Sequence, residues 1–300
     1  MENNRKNGLL LIGGITSILI IILMVLIGNV IMIGEKIANI SVWLSYLFYF
    51  ISGICFFWLI ILPVIRVMAT PKFNGIGSED IKNLTPTQTS EYIMNLKKSV
   101  RLTKDEIWGL HAGSDRKAVI EQILNKRYED MRRTTREAAI TNFIITGVSQ
   151  NGGLDFLASM RINFKMISDI VEALGKRPSL GQLFKLYISV LSTSLLIITI
   201  DDLLENFEFD DLLGEVGIVG GKLANAVIPS ATNGLMNAFV TLRVGYTTIK
   251  YLEMGSKKFN SSIARKYAYK AARKELLGVG KDGVAKLAQT VSSAVANEFS

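Results

Sequence analysis

Two long runs of apolar residues dominate the first 65 positions of the chain. Leu9–Ile33 holds 25 residues without a charge, and Val42–Ile65 holds 24. At a rise of about 1.5 Å per residue, each run is long enough as a helix to cross a hydrocarbon core of about 30 Å. The pattern therefore predicts a transmembrane hairpin of two helices, joined by the short connection at residues 34–41.

The residues that flank the hairpin predict its orientation. Arg5 and Lys6 precede the first run, and Arg66, Lys72 and Lys82 follow the second. Because Lys and Arg accumulate on the cytoplasmic side, both chain termini are expected in the cytoplasm. The first run is also longer than the apolar part of a signal peptide, which is about 7–15 residues, so we expect an anchor that is not cleaved.

Beyond the hairpin the apolar positions recur with helical spacing. Residues 69–87 contain Thr-Pro, Asn-Gly and Gly-Ser turn signals and are expected to form a linker. Thr85, Pro86 and Gln88 then form a helix start, with Thr85 as the N-cap and Gln88 as its reciprocal partner. In the charged region 88–139, one stripe of apolar residues predicts a buried helix face: Ile120, Leu124, Tyr128 and Met131.

The segment Leu154–Leu174 is the clearest amphipathic helix of the chain. Its apolar face comprises Phe156, Met160, Phe164, Ile167, Val171 and Leu174, and polar residues occupy the other face. Lys165 and Asp169 are four residues apart and predict an ion pair. Gly175 is expected to end the helix, and Ser179 with Gln182 predicts a cap for the next one. These patterns together predict an all-α protein.

Two later apolar runs leave the number of membrane spans open. Leu183–Ile200 contains one charge, Lys185, and Leu223–Leu242 contains none. The acidic stretch between them would lie outside if both runs crossed the membrane. The second run contains Asn225, Pro229, Asn233 and Asn237, which is polar for a bilayer helix. We favour two spans, with the later helices packed together or lying on the membrane surface.

Two glycine-rich patterns partly match nucleotide-binding motifs, and a third segment is rich in small residues. A phosphate-binding loop that ended in Gly221-Lys222 would need a glycine at position 216 and a hydroxyl residue at position 223. Val216 and Leu223 stand there instead, so no nucleotide site is expected. Gly278–Gly283 matches a dinucleotide fingerprint, but it follows a helical pattern, so we expect a break between two cationic helices. The small residues of 214–255 favour close helix packing over a cofactor site.

The inventory of reactive residues predicts no catalytic residue, no metal site and no cofactor. Cys55 is the only cysteine and His111 the only histidine. A disulfide within the chain is impossible, and a zinc site would need further ligands. Cys55 also lies inside an apolar run, which makes a Cys–His pair implausible.

The positive charge of the chain is concentrated at its end. The net charge is +8, and residues 255–300 hold nine Lys/Arg against three Asp/Glu. Lys257, Lys258 and Lys266 are interleaved there with aromatic residues, and Arg243 precedes them. Such a tail favours an anionic partner, either phospholipid or nucleic acid. In a membrane-tethered chain, anionic lipid is the nearer one, so these four residues are candidate contacts.

Five segments between residues 140 and 254 together carry a family resemblance: Gly147-Val-Ser-Gln-Asn-Gly-Gly-Leu-Asp155-Phe, Arg161-Ile-Asn-Phe-Lys-Met-Ile, Leu174-Gly175, Ser179-Leu-Gly-Gln-Leu-Phe-Lys-Leu and Gly234-Leu-Met-Asn-Ala-Phe-Val-Thr-Leu-Arg243-Val-Gly245. In order and spacing they resemble the YcjF family of bacterial inner-membrane proteins. The resemblance implies a helical domain that occurs beside P-loop GTPases, in the bacterial inner membrane. It transfers no catalytic residue. The short N-terminal region and the long basic tail differ from the family.

These observations lead to one expected organisation and a ranked set of functions. We expect a hairpin (1–68), a linker (69–87), a charged helical region (88–139), a YcjF-like helical domain (140–254) and a basic helical tail (255–300). The expected function is a membrane-anchored accessory protein without enzymatic activity. Its candidate contacts with a P-loop GTPase are Asp155, Arg161 and Lys165, and a homo-oligomer is possible. The alternatives are a four-span channel or membrane-remodelling protein, and a tethered nucleic-acid-binding protein.

Overall fold

The chain forms two compact units, Met1–Ile65 and Arg66–Ser300. The structure is a computed structural model that describes residues 24, 27–28, 30–70, 81, 83–99, 102–111, 115–148, 152–175, 177, 183, 224–254 and 261–298. All regular elements within these ranges are helices. The prediction of an all-α protein is therefore confirmed for the described part of the chain.

The first unit contains a helical hairpin. Helix α1 covers residues 30–38 and is followed by a turn and by helix α2 (Val42–Phe56). The Ser45 hydroxyl of α2 donates a 2.8 Å hydrogen bond to the carbonyl of Gly34 in α1. A Cβ at Gly34 would lie 2.2 Å from the ring of Tyr49, so glycine at this position lets the ring lie against α1.

The second helix of the hairpin continues beyond α2. A π-turn covers Phe57–Ile61, and helix α3 (Leu62–Ala69) follows without a break. Most large apolar side chains of α2 are exposed, and Trp43 reaches 84% exposure. Among the described residues, none of the helices has both the length and the apolar character that a membrane crossing requires. Much of the first predicted span, residues 9–23, lies outside the described part.

The second unit is built around one long helix. Its elements are α4 (Pro86–Ser99), α5 (Lys104–His111), α6 (Arg116–Val148), α7 (Gly152–Leu174), α8 (Ala224–Met254) and α9 (Ser261–Glu298). Helix α6 has 33 residues and contacts α7, α8 and α9 along its length. The expected domain boundary at residue 139 falls inside this helix.

Side-chain caps fix the start of three helices in the second unit. The Gln88 side chain accepts a 2.9 Å hydrogen bond from the Thr85 backbone N–H, as the sequence predicts for the start of α4. Glu106 makes the same bond to Thr103 at 2.8 Å before α5. Asp115 accepts bonds from two backbone N–H groups at the start of α6. Each cap satisfies donors that a helix start leaves free.

The end of α7 also matches the prediction. Gly175 has a φ of 65°, in the left-handed region that glycine adopts without strain. Its backbone N–H donates to the carbonyl of Glu172 at 3.0 Å and so closes the last turn. The expected end of this helix at Gly175 is confirmed.

The core lies where α7, α8 and α9 meet α6. The predicted stripe of α6 is buried, and so is the apolar face of α7 from Met160 to Leu174. Phe143 of α6 is 1% exposed and lies against two glycines of other helices. A Cβ at Gly234 of α8 would lie 2.8 Å from the Phe143 carbonyl oxygen, and one at Gly283 of α9 would lie 2.3 Å from its ring. Small residues of α8 therefore permit close packing, as expected.

The predicted break at Gly278–Gly283 is wrong. Helix α9 runs without interruption from Ser261 to Glu298 and includes these glycines. Gly283 receives the ring of Phe143, and Gly278 lies beside the guanidinium group of Arg136. Glycine weakens an isolated helix by about 1 kcal/mol, but here the absent side chains allow α9 to approach α6.

Several sequence predictions fall on residues that the structure does not describe. They are the linker residues 71–80, the cap at Ser179 and Gln182, residues 184–200 of the third apolar run, the acidic stretch 201–215 and the glycine-rich segment 216–223. The described part of the fourth apolar run, residues 224–242, belongs to α8. Its residues Leu235–Leu242 are buried by other helices of the unit.

Candidate docking surface and basic cleft

The polar edge of α7 presents the first group of candidate contacts. Arg161 is exposed, and Lys165, one turn later, has 66% of its side chain exposed. The Lys165 ammonium group lies 2.6 Å from the carboxylate of Asp169, which confirms the predicted pair. Asp155 belongs to the first turn of α7, and its side chain lies outside the described part. Arg161 and Lys165 thus form an accessible cationic edge opposite the buried face.

Arg243 has a different environment from the other candidate contacts. Its guanidinium carbon lies 5.7 Å from the ring centroid of Phe239 and 6.0 Å from that of Tyr269. Burial lowers the pKa of Arg243, and the nearby charge of Arg265 lowers it further. The cation packs between rings of α8 and α9 and stabilises their contact.

The candidate contacts do not form one cluster. Lys266 is exposed on α9, whereas Lys257 and Lys258 lie outside the described residues. Lys266 shares its helical face with four further exposed cations, Lys270, Arg273, Lys274 and Lys281. The two acidic residues of α9 between Ser261 and Lys286 lie elsewhere, because Asp282 pairs with Arg136 and Glu275 contacts Tyr246. The outer face of α9 is therefore strongly basic.

A cleft between α6, α8 and α9 was not predicted from the sequence. It has a volume of about 260 Å³ and is lined by Arg132, Arg136, Tyr246, Tyr267, Ala271, Lys274, Glu275 and Gly278. Two cations come from successive turns of α6, and the third, Lys274, belongs to the basic face of α9. The lining joins three helices whose residues are far apart in the sequence, which is why no local pattern reveals it.

Hydrogen bonds and ion pairs order the walls of the cleft. The Arg136 guanidinium lies 2.7 Å from the Asp282 carboxylate, across from α6 to α9. Gly278 makes room for this arrangement, since a Cβ there would lie 3.1 Å from an Arg136 nitrogen. Arg132 lies 3.8 Å from Glu253, which has a nearer partner in Lys250 at 3.1 Å. Arg132 is thus only weakly paired.

Tyr246 and Glu275 form the inner wall of the cleft. The Tyr246 hydroxyl donates a short hydrogen bond to Oε1 of Glu275. Burial raises the pKa of Tyr246 well above its usual value, and the Glu275 carboxylate raises it further. The second carboxylate oxygen, Oε2 of Glu275, is buried and has no hydrogen-bond partner within the described structure. A buried acceptor without a donor is uncommon and costly.

A buried polar network lies deeper in the domain. The Asn142 side-chain amide of α6 donates to Thr241 Oγ1 of α8 at 2.8 Å. Its carbonyl oxygen accepts a 2.7 Å bond from the Ser159 hydroxyl of α7. Asn163 of α7 donates to the Ser159 carbonyl at 2.8 Å. These fully buried groups connect three helices and restrict how the helices can slide.

Metal-binding side chains are not grouped in the described part of the chain. No three His, Cys, Asp or Glu side chains there lie close enough to hold an ion. The chemistry that the cleft offers is instead the binding of an anion by Arg132, Arg136 and Lys274, beside one carboxylate acceptor.

The described helices form an all-α domain in which α7, α8 and α9 pack against the long helix α6. A buried polar network connects α6, α7 and α8. This chain belongs to the DUF697 family, described as a domain of unknown function, whose family model matches residues 113–296. The match includes α6 to α9 and therefore both the network and the cleft. No curated protein and no solved structure matches the chain.

Proposed function

We propose that this protein is a membrane-anchored accessory protein of the bacterial inner membrane, without enzymatic activity, whose helical domain docks a P-loop GTPase at the cytoplasmic face. The observation that carries the proposal is the apolar surface of the hairpin. Trp43, Phe50 and Trp58 are all more than half exposed along its second helix. Such a surface is typical of a helix that contacts lipid or a partner.

Further features of the hairpin support its insertion. Residues 42–69 are continuously helical through the π-turn and span about 42 Å at 1.5 Å per residue. The polar Ser45 is buried and bonded to Gly34, and the Tyr49 hydroxyl donates to the Ile31 carbonyl at 3.2 Å. Polar groups that are satisfied within the hairpin suit a non-aqueous environment. The flanking cations favour cytoplasmic termini.

Cys55 provides a direct test of insertion, because it is the only cysteine and is exposed near the end of α2. It lies about 20 Å along the helix from Val42, close to the middle of the second apolar run. In intact membranes, a water-soluble maleimide is expected to leave Cys55 unmodified, and modification is expected only after denaturation in detergent.

Two engineered positions serve as controls on a Cys55→Ser background. Asn39→Cys, in the exposed turn of the hairpin, is expected to react with an impermeant reagent from outside. Thr87→Cys, exposed in α4, is expected to react only after the cytoplasmic side is opened. Rapid modification of Cys55 in intact membranes would contradict insertion of this helix.

The docking part of the proposal is supported by the family and by the resemblance to YcjF proteins. DUF697 is associated with YcjF-like helical domains that accompany GTPases. The edge formed by Arg161 and Lys165 is accessible and lies opposite the face that packs in the core. We place the GTPase contact on this edge.

The test inverts the charge pattern without removing the ion pair. Lys165→Asp combined with Asp169→Lys keeps an i,i+4 pair on α7, and Arg161→Glu completes the reversal. A matched control exchanges Arg133 and Asp130 on α6, an exposed pair 2.9 Å apart. We expect the α7 variant, and not the control, to lose copurification of a P-loop GTPase from membranes. Equal recovery with both variants, or recovery of no P-loop protein with wild type, would reject the contact.

A further inference from the structure

The cleft between α6, α8 and α9 combines positive charge with an unsatisfied acceptor. We propose that it binds a small ligand that carries a phosphate group and also a hydroxyl or ammonium donor, of the kind found in glycerol phosphate. The site itself does not depend on the proposed function. Only the choice of a lipid headgroup as the source of the ligand rests on membrane anchoring.

The phosphate requirement follows from the three cations. Arg132 and Arg136 are four residues apart on α6 and so project to the same side of the helix. Their side chains are 45% and 36% exposed, which leaves donors accessible from the cleft. Lys274 is exposed on the opposite wall. Three cations from two facing helices match the several acceptor oxygens of a phosphate group.

The donor requirement follows from Glu275. One of its carboxylate oxygens accepts the Tyr246 hydroxyl bond, and the other is buried without a partner among the described residues. A phosphate monoester without a further donor has lost its last proton at about pH 8, so it would leave this oxygen unsatisfied and would also be repelled by its charge. In a ligand that carries a hydroxyl or ammonium group beside the phosphate, the phosphate bonds the three cations and the second group donates to the free oxygen of Glu275.

The size of the cleft suits a small ligand. Its volume of about 260 Å³ lies just below the roughly 300–1,000 Å³ of pockets that hold drug-sized molecules, so a compact phosphate ester such as glycerol phosphate has a suitable size.

The experiment titrates the full-length chain in nanodiscs of neutral phosphatidylcholine, using calorimetry. The probes, at about pH 8, are sn-glycerol 3-phosphate, methyl phosphate and glycerol, because the phosphate group of a monoester carries no proton there. We expect glycerol phosphate to bind about tenfold more tightly than methyl phosphate, corresponding to one additional hydrogen bond to a charged group. Glycerol alone is expected to show no binding.

Three variants distinguish a specific binding site from general electrostatic attraction. Lys274→Gln, at an exposed position that should not affect folding, is expected to weaken glycerol phosphate about tenfold. Glu275→Gln is expected to remove the preference for glycerol phosphate over methyl phosphate. The matched control Lys266→Gln lies on the same helix face outside the cleft and is expected to change binding less than about twofold.

A second arm distinguishes the sources of the ligand. If phosphatidylglycerol in the nanodisc competes with soluble glycerol phosphate, the lipid headgroup occupies the cleft. If it does not compete, the ligand is a soluble phosphate ester. The proposal is overturned if Glu275→Gln leaves the preference unchanged, or if Lys266→Gln weakens binding as much as Lys274→Gln. Binding of a DNA duplex with equal losses in both lysine variants would likewise indicate a general polyanion surface and overturn the site.

Discussion

The hairpin and the helical domain use the same residue types in opposite ways. In the helical domain, large apolar side chains such as Phe143 and Phe239 are buried, and cations such as Lys165 and Lys266 are exposed. In the hairpin, Trp43 and Phe50 are exposed, and the small polar Ser45 is buried. Because apolar burial stabilises a fold only where water is the alternative, this contrast between the units is what the proposed insertion of the hairpin requires.

The largest expected difference between the two units concerns deletion of an aromatic ring. Phe143→Ala removes a ring that is 1% exposed and packed against Gly234 and Gly283, so we expect the domain to lose about 3–5 kcal/mol of unfolding free energy. Trp43→Ala removes a larger but 84% exposed ring and should change this value by less than about 0.5 kcal/mol. Urea unfolding in detergent, followed by circular dichroism, measures both. Similar losses would contradict the contrast between the units.

Tyrosine ionisation offers a second comparison. Burial raises the pKa of Tyr92 in α4 from 10.0 to about 12. Between these pH values the unfolded chain releases the proton first, so the folded state binds more protons and stability falls as pH rises. The full loss for this one group is about 2–3 kcal/mol.

Two phenylalanine variants check the assignment to Tyr92. Tyr92→Phe should lack this part of the decline between pH 10 and 12, whereas Tyr46→Phe, at an exposed hairpin position, should retain it. Tyr246 contributes to the decline in both variants, so their difference isolates Tyr92. Parallel stability curves for the two variants would show that Tyr92 is not the responsible group.

Glycines sharpen the comparison at a smaller scale. A Cβ at Gly245 in α8 would lie 2.3 Å from the buried Thr135 side chain, whereas nothing lies within 4 Å of Gly53 in the hairpin. Gly245→Ala is expected to cost about 1–3 kcal/mol through overpacking. Gly53→Ala should instead favour its helix by about 0.5–1 kcal/mol. Thermal unfolding of both variants tests these signs, and a stabilising Gly245→Ala would refute the close contact.

The smallest expected difference concerns helix caps. The Thr85 side chain takes part in a capping pair with Gln88, whereas Ser41, at the start of α2, makes no side-chain cap bond. Thr85→Ala should destabilise α4 by about 1 kcal/mol, and Ser41→Ala should leave α2 unchanged. Hydrogen exchange of the first-turn amides reports each effect locally. Faster exchange in α2 after Ser41→Ala would contradict the cap assignment.

Local signals explain which parts of the fold could be predicted. Thr85 with Gln88, Gly175 and the Lys165–Asp169 pair each depend on residues within five positions of one another, so the sequence specifies them directly. The apolar stripe of α6 follows from helical periodicity in the same way. Gly278 and Gly283 were misread because a glycine in a helix is unfavourable locally and becomes favourable only through a partner, Arg136 or Phe143, more than 130 residues away.

The cleft was missed for the same physical reason. Its defining contact joins Arg136 to Asp282, which are 146 residues apart, and no periodicity connects them. The charge of the tail predicts Lys266 as a contact, but the sequence alone does not show that Lys274, two turns further along α9, lines a cleft with two arginines of α6. The charge composition thus predicts a cationic helix. Only the packing of α9 against α6 shows that Lys274 lies in the same cleft as Arg132 and Arg136.

The position of Asn142 has a mechanical consequence. Its side-chain amide connects α6 to α8 through Thr241 and to α7 through Ser159. If one of these helices slid by one turn, these buried groups would lose their hydrogen-bond partners, which is costly. We therefore expect that a force applied to α7 moves α6, α7 and α8 together as one rigid body.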